Sequence, residues 1–297
     1  MFEKINLYFF LMTSLFLVSC FNRSGVDDIE PANELAQHVM DFISTVDDIN
    51  LGQSSFAFRP SNIDFKNFSF LQPFTVAQCS GISFTTCQSG TATKTYEQCQ
   101  QGTKLLQGSL SLNWTGGTSS TACSFGTTTG SSVNMTTQYS VTRDDGVQAQ
   151  VSTTDSNGLS LIWILGTGFV GDPKIYEYSS SGLKRQISYN GFTYYNRTII
   201  TDTNVQINGE NRLNRIISGG PIYITDHFKN DHCDMSFDDI TQLVTWDSTC
   251  NCPITGEASG QCAKTGAVKL KITGCGTGQV TYNLKTSSVI FEKCHAM

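Results

Sequence analysis

The densest run of side chains able to bind a metal or move protons lies late in the chain. It comprises Asp226, His227, Asp231, His232, Asp234, Asp238 and Asp239. Imidazole and carboxylate together can hold a divalent ion or serve as general acid and base. The spacing matches neither a calcium-binding loop nor the HExxH pattern of metalloproteases. Asp-rich turns also form without an ion, their carboxylates accepting the turn's own amides. Asp226, His227, Asp231, His232 and Asp234 therefore stand as metal candidates, with no catalytic residue assigned and no cofactor expected.

A second motif, Gly166-Thr167-Gly168-Phe169-Val170-Gly171, follows the apolar run Leu161–Leu165. A dinucleotide site needs a helix directly after such glycines, because the helix N-terminus holds the pyrophosphate. Here the chain continues Asp172-Pro173-Lys174-Ile175-Tyr176, with no helical pattern. The glycines are expected to serve a turn or bulge instead.

The chain has 11 cysteines. Cys79, Cys87, Cys99 and Cys123 form one group, and Cys233, Cys250, Cys252, Cys262, Cys275 and Cys294 a second. Their spacings are not those of zinc ligands, and an even set in an oxidising compartment implies disulfides. Sequence alone does not choose the pairing. The remaining thiol, Cys20, closes Leu17-Val18-Ser19-Cys20 behind an apolar run from Leu7 to Leu17. That run is shorter than the roughly 20 residues a spanning helix needs. These residues resemble the lipobox signal peptide of bacterial lipoproteins. The resemblance implies removal of residues 1–19 and lipidation at Cys20. With Phe21 rather than Asp next, it also implies an outer-membrane address, periplasmic or surface-facing. The stretch from Cys250-Asn251-Cys252-Pro253 through Gly274-Cys275-Gly276 to Cys294 looks like the cysteine-framed tails of uncharacterised exported lipoproteins, and brings no catalytic residue with it.

These groups must be positioned by a body of nearly one kind of element. Pro31 through Ile49 carries Leu35, Val39, Phe42, Ile43 and Val46 at spacings of three and four, which predicts an amphipathic helix over 31–50. Its apolar face is expected to pack on the body. Elsewhere the period is two: Val133, Met135, Tyr139 and Val141; Val147, Ala149 and Val151; Val268, Leu270 and Ile272; Val280, Tyr282 and Leu284. Asp145-Gly146, Asn157-Gly158, Ser181-Gly182, Asn190-Gly191 and Asn208-Gly209 read as hairpin turns. Phe56, Phe58, Phe65, Phe68, Phe70 and Phe74 are expected to form a buried layer.

The predicted fold class is all-β: an antiparallel meander forming a strongly twisted sheet or barrel-like body, disulfide-stapled, with one N-terminal amphipathic helix. The expected organisation is a signal peptide at 1–19, an acylated tether at 20–30, the helix at 31–50 and a single β domain at 51–297. A formal charge of −6 excludes nucleic acid as a partner bound by charge. The expected function is that of a membrane-anchored envelope lipoprotein acting as a non-catalytic surface binding or structural module. Its expected partners are the membrane, through the N-terminal lipid, and an unknown protein, glycan or lipid ligand. A carrier or envelope-assembly factor with an apolar ligand in a curved sheet is the alternative. An extracytoplasmic hydrolase relying on His227 or His232 is the second.

Overall fold

Strand alternation in the sequence translates directly into burial. Over 132–142 the odd positions point inward, with Val133, Met135, Tyr139 and Val141 in the core. Val268, Leu270 and Ile272 do the same, while Lys269 and Lys271 face solvent. The computed structural model describes residues 29–48 and 82–294, apart from 86–87, 102–103, 117–122, 124, 126–127, 170, 203–204, 210–211, 240, 251, 265, 283 and 293. Cys20 with its signal and tether, Cys79, Cys87, the side chain of Cys99 and the phenylalanines of 56–74 lie outside the described residues.

One α-helix, α1 (Ile29–Asp48), precedes eighteen strands. These begin with β1 (Ile82–Phe84), β2 (Thr91–Gln101), β3 (Lys104–Thr115), β4 (Ser132–Thr142), β5 (Gln148–Thr153) and β6 (Leu159–Leu165). The middle holds β7 (Ile175–Ser180), β8 (Leu183–Tyr189), β9 (Phe192–Thr201), β10 (Val205–Asn208), β11 (Ile216–Gly219) and β12 (Ile222–Asp226). The last are β13 (Asp231–Ser236), β14 (Val244–Thr245), β15 (Gly256–Cys262), β16 (Gly266–Gly274), β17 (Thr277–Tyr282) and β18 (Lys285–Ile290). All belong to one sheet, and each paired strand runs antiparallel to its neighbour.

The register shows an arrangement that turn signals alone do not. β5 and β6 lie end to end along β4, opposite its two halves. β8 and β7 lie end to end along them, then β9 and β10, then β12 and β11, then β13 and β14. Each pair is one long strand interrupted midway, and the interruptions line up into a crease across the sheet. Hydrogen bonds stitch it: Ser181 N–H to Gly158 carbonyl and Thr154 N–H to Gly182 carbonyl, both 2.9 Å. Further along, the Ser180 amide donates to Thr201 Oγ1 at 2.8 Å, and the Phe237 amide to the Gly219 carbonyl at 2.8 Å.

Asn157-Gly158 and Ser181-Gly182, expected as hairpin turns, are thus crease positions inside long strands. Asp145-Gly146, Asn190-Gly191 and Asn208-Gly209 do sit between strands. Glycine is required at 158, where φ is +56° and a Cβ would stand 2.1 Å from the Met135 carbonyl oxygen. Aligned breaks of this kind bend a sheet more sharply than twist alone.

The bend wraps the sheet around α1. The expectation of one packed face is corrected here: from Ala32 to Val46 every helix residue except half-buried Asn33 is buried. Phe42 stacks on Tyr178 of β7 at 4.5 Å between ring centres. The Gln37 amide donates to the Ile290 carbonyl of β18 at 2.5 Å, and the Glu292 N–H returns a bond to Gln37 Oε1 at 3.0 Å. A helix hydrophobic on one stripe can be buried all round only if its other stripe finds polar partners inside.

Candidate functional site

The metal candidates flank the β12–β13 hairpin, and strand alternation distributes them. Asp226 and Asp231 are buried, whereas His232 and Asp234 are exposed on the opposite side of β13. Asp226 accepts from Arg197 Nε at 2.9 Å and from the amides of Phe228 and Lys229 in the turn. Asp231 accepts from the Lys264 amide at 2.8 Å. His227 Nε2 lies 2.8 Å from Thr198 Oγ1, and His232 Nδ1 lies 3.2 Å from Thr225 Oγ1. Asp238 is exposed, and Asp239 caps Thr241. The five candidates do not converge on one point. Asp231 does lie within 4.8 Å of the sulfurs of Cys233 and Cys262. Those sulfurs are bonded to each other, however, and neither is a thiolate that could ligate a metal.

Six of the cysteines form Cys233–Cys262, Cys250–Cys275 and Cys252–Cys294. Cys123 is buried and disulfide-bonded as well. The glycine motif forms the β6–β7 turn. Asp172 there accepts from the Thr167 amide and hydroxyl, and the next element is a strand. An open depression of about 670 Å³ lies where the β2 bulge faces Gly108 of β3.

The largest concentration of interacting charge is one that the sequence reading did not single out. It lies between α1 and the sheet, centred on Arg185, whose side chain is fully buried. Nε and Nη2 reach Glu34 Oε2 at 3.2 and 3.1 Å, Nη1 reaches Asp41 Oδ2 at 2.7 Å, and Nη2 reaches Glu292 Oε2 at 2.6 Å. Arg143, just past β4, joins the same carboxylates through Glu34 Oε1 at 2.6 Å and Glu292 Oε1 at 2.5 Å. The Tyr139 hydroxyl donates to Asp41 Oδ1 at 2.9 Å. Further along the helix, His38 Nε2–H donates to the Leu183 carbonyl at 2.8 Å, and Thr45 meets the Tyr178 hydroxyl.

The electrostatics follow from this geometry. Burial opposes the charge on Arg185, but Glu292, Asp41 and Glu34 outweigh it and hold the guanidinium well above its ordinary range. Burial likewise opposes ionisation of Glu292, yet Arg185 and Arg143 pull its carboxyl down to about 2. Burial, and then Asp41, raises the Tyr139 hydroxyl. Burial, reinforced by Arg185, pushes His38 well below its ordinary value and leaves it neutral.

Such groups are poor proton carriers at neutral pH. A base held near 2 does not take a proton, and a buried phenol with a raised value does not give one. What the cluster can do is fix the helix inside the sheet, with each charged group engaged by partners of opposite sign. Two sequence signals could have found it. Glu34, His38 and Asp41 are spaced four and three apart on one helix stripe, and Arg185 interrupts the inward row Leu183, Ile187 of β8.

No protein-family model matches this chain, and no curated protein or solved structure does either.

Proposed function

We propose that the chain is a lipid-anchored cell-envelope protein whose β-body acts as a rigid, non-catalytic binding or structural module. The observation that carries this reading is the enclosed helix. The concave side of the sheet is filled by α1 and locked by the Arg185 cluster. An apolar cargo inside the sheet would need the space α1 takes up, which counts against the carrier. For the hydrolase, His227 and His232 belong to opposite environments of one hairpin, and neither faces the buried carboxylates of the helix. The lipobox at Leu17–Cys20 and the disulfides support an exported protein in an oxidising compartment. Among the described residues no helix is long and apolar enough to cross a membrane.

The test is expression in a bacterial host supplied with labelled palmitate. Label is expected on the native chain and absent from Cys20→Ala, with that variant leaving the membrane fraction. Retention of the unlabelled variant in the membrane would refute lipid anchoring. Native protein carrying a stoichiometric lipid after purification would favour the carrier, whereas empty protein supports the module.

A further inference from the structure

We propose that the turns β8–β9, β12–β13, β15–β16 and β17–β18 form a rim that docks on a bilayer surface containing anionic phospholipid. These turns are consecutive along the sheet, because β9 pairs with β12, β13 with β15 and β16 with β17. Each is two strands from the next, roughly 10 Å. The turns step progressively along the strand direction, the stagger that tilted strands of a curled sheet produce at a level rim.

Their tips hold large apolar side chains in solvent. Phe192 is 80 % exposed, Phe228 56 % and Leu284 96 %. Leu284 was expected to continue an inward row and instead projects from the β17–β18 turn. Lysines alternate with these groups: Lys229 follows Phe228, Lys285 follows Leu284, and Lys264 occupies the turn between. Lys264 Nζ donates to the Lys229 carbonyl at 2.8 Å and ties two neighbouring tips together. The acids beside them, Asp226 and Asp231, are buried and engaged by Arg197 and backbone amides. The rim therefore presents apolar tips and positive charge outward on a chain whose total charge is −6. Asp144 and Asp145 in the β4–β5 turn mark its acidic border.

The path of the chain selects the same rim. Glu34, near the start of α1, meets Arg143 beside the β4–β5 turn, whereas Thr45, near its end, meets Tyr178 on the other half of the sheet. The helix thus enters from the end that carries these turns. Nine residues separate Cys20 from Ile29, and such a segment spans at most about 30 Å. A lipid on Cys20 would hold this rim at the headgroups, where aromatic, apolar and lysine side chains are each favoured. For this orientation, though not for the rim's composition, the inference rests on the proposed anchoring.

The test uses the full-length protein in vesicles of phosphatidylcholine, with or without phosphatidylglycerol. Phe192→Trp, Phe228→Trp and Leu284→Trp each report one tip. Phe169→Trp and Leu213→Trp report the β6–β7 and β10–β11 turns at the opposite end of the sheet. Bromine-labelled acyl chains are expected to quench and blue-shift the first three, most strongly with phosphatidylglycerol, and to leave the other two unchanged. Lys229→Glu with Lys285→Glu is expected to abolish that quenching while the protein still floats with vesicles. Equal quenching at both ends, or none at the rim of a lipidated chain, would overturn the proposal. Quenching of the rim in Cys20→Ala mixed with anionic vesicles would support the rim even if no lipid is found on Cys20.

Discussion

Replacing Arg185 by methionine keeps much of the side chain's length and removes the charge that three acids share. Glu292 is drawn from 4.5 to about 2 by Arg185 and Arg143 despite its burial, which corresponds to about 3 kcal/mol of stability at neutral pH. In Arg185→Met, Arg143 still reaches Glu34 and Glu292, but Asp41 loses its 2.7 Å guanidinium contact. Breaking a buried ion cluster in this way costs about 3–5 kcal/mol. That is a large share of the 5–15 kcal/mol typical of a folded domain. Urea unfolding of the oxidised protein should show a lower midpoint with an unchanged slope.

The pH dependence gives the sharper check. In the native chain Glu292 has a depressed value, so its contribution is full above about pH 4.5 and is lost as pH falls towards 2. Without Arg185 the buried carboxylates bind protons more readily folded than unfolded, so acid relieves the variant. The two stability curves should converge between about pH 7 and pH 4. A deficit under about 1 kcal/mol, or a deficit that is the same at both ends of that range, would refute an ionic lock in favour of simple packing.

His38 gives a separate acid response. Burial and Arg185 keep it neutral in the fold while the unfolded chain protonates below 6.5, so stability should fall by up to about 1.4 kcal/mol per pH unit beneath that value. His38→Gln should flatten the melting temperature across that interval, and an unaltered slope would discount the assignment. Joint Cys252→Ala and Cys294→Ala opens a link across 42 residues and should cost about 4 kcal/mol in denaturant. Peptide mapping without reduction should recover that pair with Cys233–Cys262 and Cys250–Cys275, and any exchanged pair would contradict the strand register. Calcium or zinc added to the oxidised protein should move its melting temperature by less than about 1 °C, since a folded-state ligand would raise it. A saturable upward shift would mean that the β12–β13 hairpin assembles a site its alternation does not show.

The strands, the helix and their antiparallel order were legible because each depends on a local period of two or on spacings of three and four. The helix was expected over 31–50 and spans Ile29–Asp48, with Pro31 in its first turn. Local signals misled where two solutions share one composition. Asn157-Gly158 and Ser181-Gly182 supply the same backbone freedom to a crease as to a hairpin, and only the partner strand distinguishes them. The polar stripe of α1 read as a solvated face because its partners Arg143, Arg185 and Glu292 lie more than 100 residues away. The acidic hairpin read as one cluster because adjacency in a strand places neighbours on opposite faces.

The bonds between Gln37 and the Ile290–Glu292 segment join residues 253 and 255 positions apart. Chains export and fold from the first residue onward, so the helix is made early while its last partner arrives at the very end. Until Glu292 is available, a helix bearing Glu34, Gln37, His38 and Asp41 has nothing to complete its enclosure, and the curled sheet has an unfilled hollow. Closure is therefore the final event in time, and it certifies that the whole chain is present. A chain cut short by even its last ten residues would carry every strand and still lack the clasp.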